Sequence, residues 1–158
     1  MKEHTWKSYA FWIGFTEAVG GLSAWLTRNG MEIYKTAIQK PPLSPPGILF
    51  PIVWALLYAL MGIGAARIYR TGASRLRSRA LLLYLVQLLF NFFWSIWFFN
   101  LQSFGFAFIW LIVLWLLILW MTLTFRKIDR PSAWLQIPYL LWVAFAAYLN
   151  LGVWLLNR

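Results

Sequence analysis

The sequence predicts an all-α integral membrane protein: a bundle of five transmembrane helices, formed as one domain over residues 1–158. Three observations carry this. Only 11% of the residues are charged while 62% are hydrophobic, against about 25% charged in a soluble domain, so the chain has too few charges to cover itself in water. The apolar residues gather into runs of the roughly 20 residues that a helix needs to cross a bilayer. No run alternates with the period of two that marks a strand, and open sheet edges are not tolerated in lipid.

Five runs fit, at about 6–26, 48–69, 80–101, 104–125 and 134–156. The first carries Glu17 and lacks a small-residue cleavage site, so it reads as a retained span and not as a signal peptide. Residues 27–47 connect it to the second and read as a lid. Within them Lys40, Pro41, Pro42, Pro45 and Pro46 precede Gly47. Proline fixes φ, donates no backbone hydrogen bond and pushes the preceding residue out of helical geometry, so 40–47 is expected to be a stiff, non-helical strap. The simpler reading is that these prolines only stop one helix and start the next. Pro51 falls in the first turn of the second span, where it is harmless, and Pro138 is placed to kink the fifth. The third and fourth spans are separated by little more than Gln102 and Ser103, which predicts a tight antiparallel pair. Gly20 with Ala24 and Gly62 with Ala66 have the spacing of close helix approach. No repeat of fixed period is present, which argues against an inverted-repeat transporter.

Lysine and arginine set the orientation. Lys2, Lys7, Arg67, Arg70, Arg75, Arg77, Arg79, Arg126, Lys127 and Arg130 fall on one side; Arg28, Lys35, Lys40 and Arg158 fall on the other. This predicts a cytoplasmic N-terminus, with the C-terminus and loop 27–47 external. The net charge of +10 lies between apolar runs, so it implies anionic lipid and not nucleic acid. Arg70, Arg75, Arg77 and Arg79 are read as a general headgroup contact in preference to a specific lipid site.

Polar groups in a membrane helix turn towards protein or a water-filled cavity. Gln87, Asn91, Trp94, Ser95 and Phe98 share one face of the third span. Trp54, Tyr58, Met61, Gly62 and Ala65 do so in the second, and Trp142, Ala146 and Asn150 in the fifth, with Tyr139 nearby. Each stripe alone reads best as a packing face. Three together predict a cavity walled by aromatic rings and neutral polar groups, suited to a planar, mostly apolar ligand. Glu17, the only carboxylate inside a span, is either a functional polar or proton site or a protonated group bonded to a neighbouring helix. With no cysteine, one histidine (His4) and four carboxylates, no metal site, disulfide or hydrolytic triad is expected and no cofactor is required.

Three pieces carry a resemblance: KPPLSPPGILFPIVWALLY (Lys40–Tyr58), QLLFNFFWSIWFF (Gln87–Phe99) and AWLQIPYLLWVAFAAYLN (Ala133–Asn150), together with twelve tryptophans. The chain resembles, over nearly its whole length, the bacterial type of the tryptophan-rich sensory protein family, also called the translocator or peripheral benzodiazepine receptor family. The resemblance implies a homodimeric five-helix protein of the cell membrane. It implies a receptor, sensor or translocator that binds porphyrins such as protoporphyrin IX, haem-like tetrapyrroles and other flat hydrophobic molecules beneath the first loop. Carried over by position, Trp54, Tyr58, Gln87, Asn91, Trp94, Tyr139, Trp142, Ala146 and Asn150 would line the pocket. Some bacterial members break down bound porphyrin in light and oxygen, which would make Trp54 and Trp142 the reactive rings. A proton-coupled solute transporter using Glu17 is the third reading. The chain departs from the family at Tyr34–Lys35, where Trp-Tyr is usual, and at Leu43–Ser44, where the strap usually holds a tryptophan. It also lacks a basic residue soon after Tyr148, which removes the sequence support for sterol binding.

Overall fold

The computed structural model describes residues 5–158, so Lys2 and His4 lie outside the described residues. The described chain is all-helical: α1 (Thr5–Leu26), α2 (Arg28–Ala37), α3 (Leu49–Tyr69), α4 (Arg75–Ser95), a π turn (Ile96–Asn100), α5 (Phe104–Ile128), α6 (Arg130–Trp134) and α7 (Ile137–Leu156). Four of these are long and apolar enough to cross a membrane: α3, α4 with its π turn, α5, and α6 continued by α7. The expected count of five is therefore met in four. Helix α1 matches them in length, at 22 residues, but not in apolarity. Its polar side chains are used inside the protein: Thr16 and Ser23 are buried, and the Thr16 hydroxyl contacts that of Tyr84 and donates to the Trp12 carbonyl.

The largest correction concerns 27–47. Residues 28–37 are helical, and only 38–48 form an irregular strap. RNGMEIYKTA is amphipathic, and its buried face is Gly30 and Tyr34. A Cβ on Gly30 would lie 2.4 Å from the Phe99 carbonyl oxygen, so glycine lets α2 rest on the backbone of the π turn. The other differences are at helix ends. Helix α4 begins five residues earlier than 80 because the Ser74 hydroxyl accepts from the Arg77 amide at 3.0 Å, an N-cap bond that outlasts the apolar run. Asp129 caps the short α6 before α7 begins, and Pro138 sits in the first turn of α7, where its missing N–H disturbs nothing.

Helix α1 packs most extensively on α3, and the close approach requires glycine. A Cβ on Gly62 would lie 2.6 Å from the Ile13 Cα, and one on Gly20 would lie 2.1 Å from the Tyr58 ring. At the end where α3 finishes, Arg67 grips Asp129 in a two-pronged ion pair, at 2.8 Å from Nε and 3.2 Å from Nη2. Asp129 also accepts from the Ser132 amide and hydroxyl. One carboxylate thus joins α3 to the α5–α6 connection. Its carboxyl is held below the usual carboxylate range, chiefly by the Arg67 hydrogen bond. Burial opposes this and Ser132 adds to it.

Gly62→Ala is expected to lower the melting midpoint by the equivalent of about 1–3 kcal/mol, because the obstacle is backbone. Gly14→Ala, whose Cβ meets nothing within 4 Å, is neutral or stabilising; thermal melting of both variants is the check. For Asp129 the folded carboxyl is the stronger acid. Its stabilisation is therefore complete above the ordinary unfolded value of about 3.9 and disappears as pH falls through the lower folded value. Asp129→Asn should cost about 1–2 kcal/mol at neutral pH and flatten the acid limb of a melting-against-pH curve.

Candidate functional site

A cavity of about 270 Å³ opens among α1, α2, α3, α4 with its π turn, and α7. Helix α5 contributes nothing to it. Its walls are aromatic: Phe50 and Trp54 from α3, Trp94, Phe98 and Phe99 from α4 and the π turn, Trp142 from α7 and Tyr34 from α2. The rings hold one another in edge and stacked pairs. Trp54 lies on Tyr58 at 5.4 Å and stands at 90° to Trp142 at 6.5 Å, and Trp94 stacks on Phe98 at 5.1 Å. Such pairs add about 0.5–1.5 kcal/mol beyond burial and prefer offset or edge geometry, so the wall keeps its shape without a guest. Ala146 and Gly20 leave room where a larger side chain would fill the space.

Of the sequence-predicted residues, Trp54, Tyr58, Trp94, Trp142, Ala146 and Asn150 line this cavity. Gln87, Asn91 and Tyr139 do not. They are buried beneath it and spend their polar groups on one another. The Tyr58 hydroxyl donates to Asn91 Oδ1 at 2.8 Å, Asn91 Nδ2 donates to the Tyr139 hydroxyl at 2.8 Å, and that hydroxyl donates to Gln87 Oε1 at 2.7 Å. Gln87 Nε2 closes on the Tyr84 carbonyl at 3.0 Å. The stripe of α4 is thus divided: Gln87 and Asn91 pack against Tyr58 and Tyr139, while Trp94, Ser95 and Phe98 reach the cavity wall. The reason is that lipid supplies no alternative partner, so each amide bonds the nearest facing hydroxyl. Trp94 and Asn150 join wall to frame: Trp94 Nε1 donates to Asn150 Oδ1 at 3.0 Å, and Asn150 Nδ2 to the Phe104 carbonyl at 2.8 Å.

The strap lies differently from a simple cover. Pro41 presses on Gly152, whose Cβ would lie 2.5 Å from the proline ring. Asn157 exchanges two hydrogen bonds with the Gln39 backbone, at 2.7 and 3.1 Å, and Tyr148 donates to the Pro42 carbonyl. The strap is therefore pinned to the end of α7. Lys40 Nζ donates to the Lys35 and Ile38 carbonyls at 3.2 and 3.1 Å, closing the end of α2. Lys40 and Pro45 border a smaller adjoining space of about 210 Å³ with Tyr34 and Phe50, and Pro46 offers its carbonyl to the Leu49 amide. None of Lys40, Pro41, Pro45 and Pro46 borders the main cavity.

Its mouth is instead bordered by Arg28, Met31, Glu32 and Lys35 of α2, with Gly47. These four were missed, although their spacing of three, four and seven residues marks one helical face. The charges in RNGMEIYK hid it. Glu32 and Lys35 pair at 3.5 Å, both largely exposed. Glu17 lies half-buried on α1 and does not border the cavity. Among the described residues no group of three or more His, Cys, Asp or Glu gathers. The arrangement can hold a flat apolar molecule between rings and offer cations to an acidic substituent at the mouth.

Comparison with known proteins agrees with this architecture. The model of the TspO/MBR family matches residues 12–155. A tryptophan-rich protein TspO of Chlorobaculum tepidum is 36% identical over 149 residues, 94% of either chain. A translocator protein of Ovis aries is 34% identical over 152 residues, 92% of this chain and 89% of its own. A tryptophan-rich protein TspO of Archaeoglobus fulgidus is 32% identical over 140 residues, 89% of this chain and 90% of its own. With four helices apolar enough to cross a bilayer and a match that runs nearly end to end, the chain is an integral membrane protein and belongs to the TspO/MBR family.

Proposed function

We propose that this protein is a membrane receptor or translocator for flat, largely apolar ligands, tetrapyrroles foremost, held in the cavity between α1, α2, α3, α4 and α7. The observation that carries the proposal is the cavity wall, where Trp54, Trp94 and Trp142 meet around a space that remains open while the polar groups below it are satisfied. Rings offer stacking surface at little entropic cost. Relatives of this chain bear the names translocator protein and tryptophan-rich sensory protein. In this reading α1 crosses the bilayer as the fifth span, its polar residues facing α3 and α4. The N-terminus is cytoplasmic, and the cavity opens towards the external side.

At about 270 Å³ the space lies just under the range of about 300–1,000 Å³ typical of ligand sites. A tetrapyrrole therefore enters only if α2 moves outward. The mouth favours one with acidic side groups. Arg28 and Lys35 stand there, and the exposed Glu32–Lys35 pair is weak enough to exchange for a ligand carboxylate.

Protoporphyrin IX is expected to quench the protein's tryptophan fluorescence saturably, with Trp142→Ala weakening the binding. Its dimethyl ester should bind about two- to fivefold more weakly, the value of an exposed ion pair. Linear, unsaturable quenching, or identical curves for Trp142→Ala and wild type, would reject the cavity as the binding site.

A second reading is favoured by the perpendicular Trp54–Trp142 pair in the wall: both rings would touch a bound porphyrin and be oxidisable beside it in light. Illumination of the purified protein with protoporphyrin in air should then give a product that is lost in Trp54→Phe with Trp142→Phe. Equal bleaching with and without protein removes this reading.

A further inference from the structure

The cavity above is at one end of the bundle, and a second concavity of about 460 Å³ lies between α4 and α5 at the other. It does not belong to the receptor reading and shares no residue with it. Its rim holds Arg79 of α4, Arg126 and Lys127 of α5, and Arg130 at the start of α6. The chain has four acidic residues. Asp129, the one adjacent in sequence, is engaged by Arg67 and Ser132. Among the described residues no carboxylate pairs with any of the four cations. Like charges brought to one concavity repel, and a bound anion relieves the repulsion.

The apolar part of the concavity identifies the anion. Trp120, Leu123, Thr124 and Lys127 recur at three, four and seven residues, so they share one face of α5. Lys127 stands about 10 Å along the helix axis from Trp120. Trp120 is 55% exposed and Leu123 49% exposed, on a helix apolar enough to cross the membrane. Thr124 spends its hydroxyl on the Trp120 carbonyl at 2.8 Å, so it adds no polar demand. Along α5 the cations lie at the outer end of the concavity and an indole and a leucine deeper down, while Leu76 of α4 lies one turn outside Arg79. This is the profile of a phospholipid: phosphate at the interface, glycerol and acyl chain below. A free phosphate would leave the Trp120 end uncovered.

The geometry points to a specific site for one anionic phospholipid between α4 and α5, with its phosphate held by Arg79, Arg126, Lys127 and Arg130 and its chain laid on Trp120 and Leu123. Basic concavities between transmembrane helices on the cytoplasmic side are a recurring solution for acidic headgroups. This is more than the general attraction expected of the 70–79 segment. Arg70 and Arg75 are exposed outside the concavity, and Arg77 lies over the Tyr69 ring at 4.6 Å. Only Arg79 of that cluster joins the site.

The test uses the full chain in phosphatidylcholine vesicles doped with lipid brominated on its acyl chains. The readout is the quenching lost in Trp120→Phe, which isolates that indole from the others. Brominated phosphatidylglycerol should quench it at a several-fold lower mole fraction than brominated phosphatidylcholine. Arg79→Gln with Lys127→Gln, one from each wall, should erase this several-fold preference. Lys127→Gln alone gives a partial loss and serves if the double variant does not fold. Arg70→Gln with Arg75→Gln should preserve it. Equal quenching by the two lipids overturns the site, as does a preference that Lys127→Gln leaves undiminished or that falls equally with Arg70 and Arg75. Displacement by inorganic phosphate at constant ionic strength would assign the concavity to a soluble anion and overturn the lipid.

Discussion

Tyr58, Asn91, Tyr139 and Gln87 must be satisfied before anything else in this bundle can be arranged. They are buried at the meeting of α3, α4 and α7, where a missing partner leaves an uncompensated dipole costing about 1–3 kcal/mol and no water to replace it. Their consecutive hydrogen bonds fix the relative rotation and height of three helices at once. Slide one helix by a turn and several groups lose partners together, so the network specifies one arrangement more strongly than apolar packing does.

The cavity is a consequence of that frame. Polar groups are drawn down into the network, and the next turn outward on each helix carries rings: Trp54 on α3, Trp94 on α4, Trp142 on α7. Large rings held edge to face do not collapse onto one another as aliphatic chains would. The π turn at Ile96–Asn100 contributes by bringing Phe98 and Phe99 to the wall and by presenting a carbonyl against Gly30, which seats α2 over the mouth.

The two ends of the bundle are built on different principles. At one, the strap is sewn to α7 by hydrogen bonds between the Asn157 side chain and the Gln39 backbone and by a proline against a glycine, contacts that leave α2 as the movable border of the mouth. At the other, a single carboxylate, Asp129, gathers Arg67 and Ser132, and the surplus cations are left facing the concavity between α4 and α5. Scarcity of acidic residues explains this second end: where one carboxylate is already taken, neighbouring arginines remain available to an external anion.

The helical membrane class, the boundaries of the long helices to within a few residues and the ring-bearing faces were legible from residue order alone, because they depend on apolar run length, proline and helical spacing. The non-helical strap expected at 40–47 was legible for the same reason and extends over 38–48. Which polar residues face a guest and which face each other was not. Gln87, Asn91 and Trp94 share one stripe, yet the first two are consumed by Tyr58 and Tyr139 on other helices while Trp94 reaches the wall. Nor was the place of Arg28, Glu32 and Lys35 at the mouth, since a charged decapeptide becomes a wall only when Gly30 finds the Phe99 carbonyl to rest on. Periodicity assigns a residue to a face of its own helix; what that face meets depends on contacts between residues far apart in the chain, and those exist only once the helices have come together.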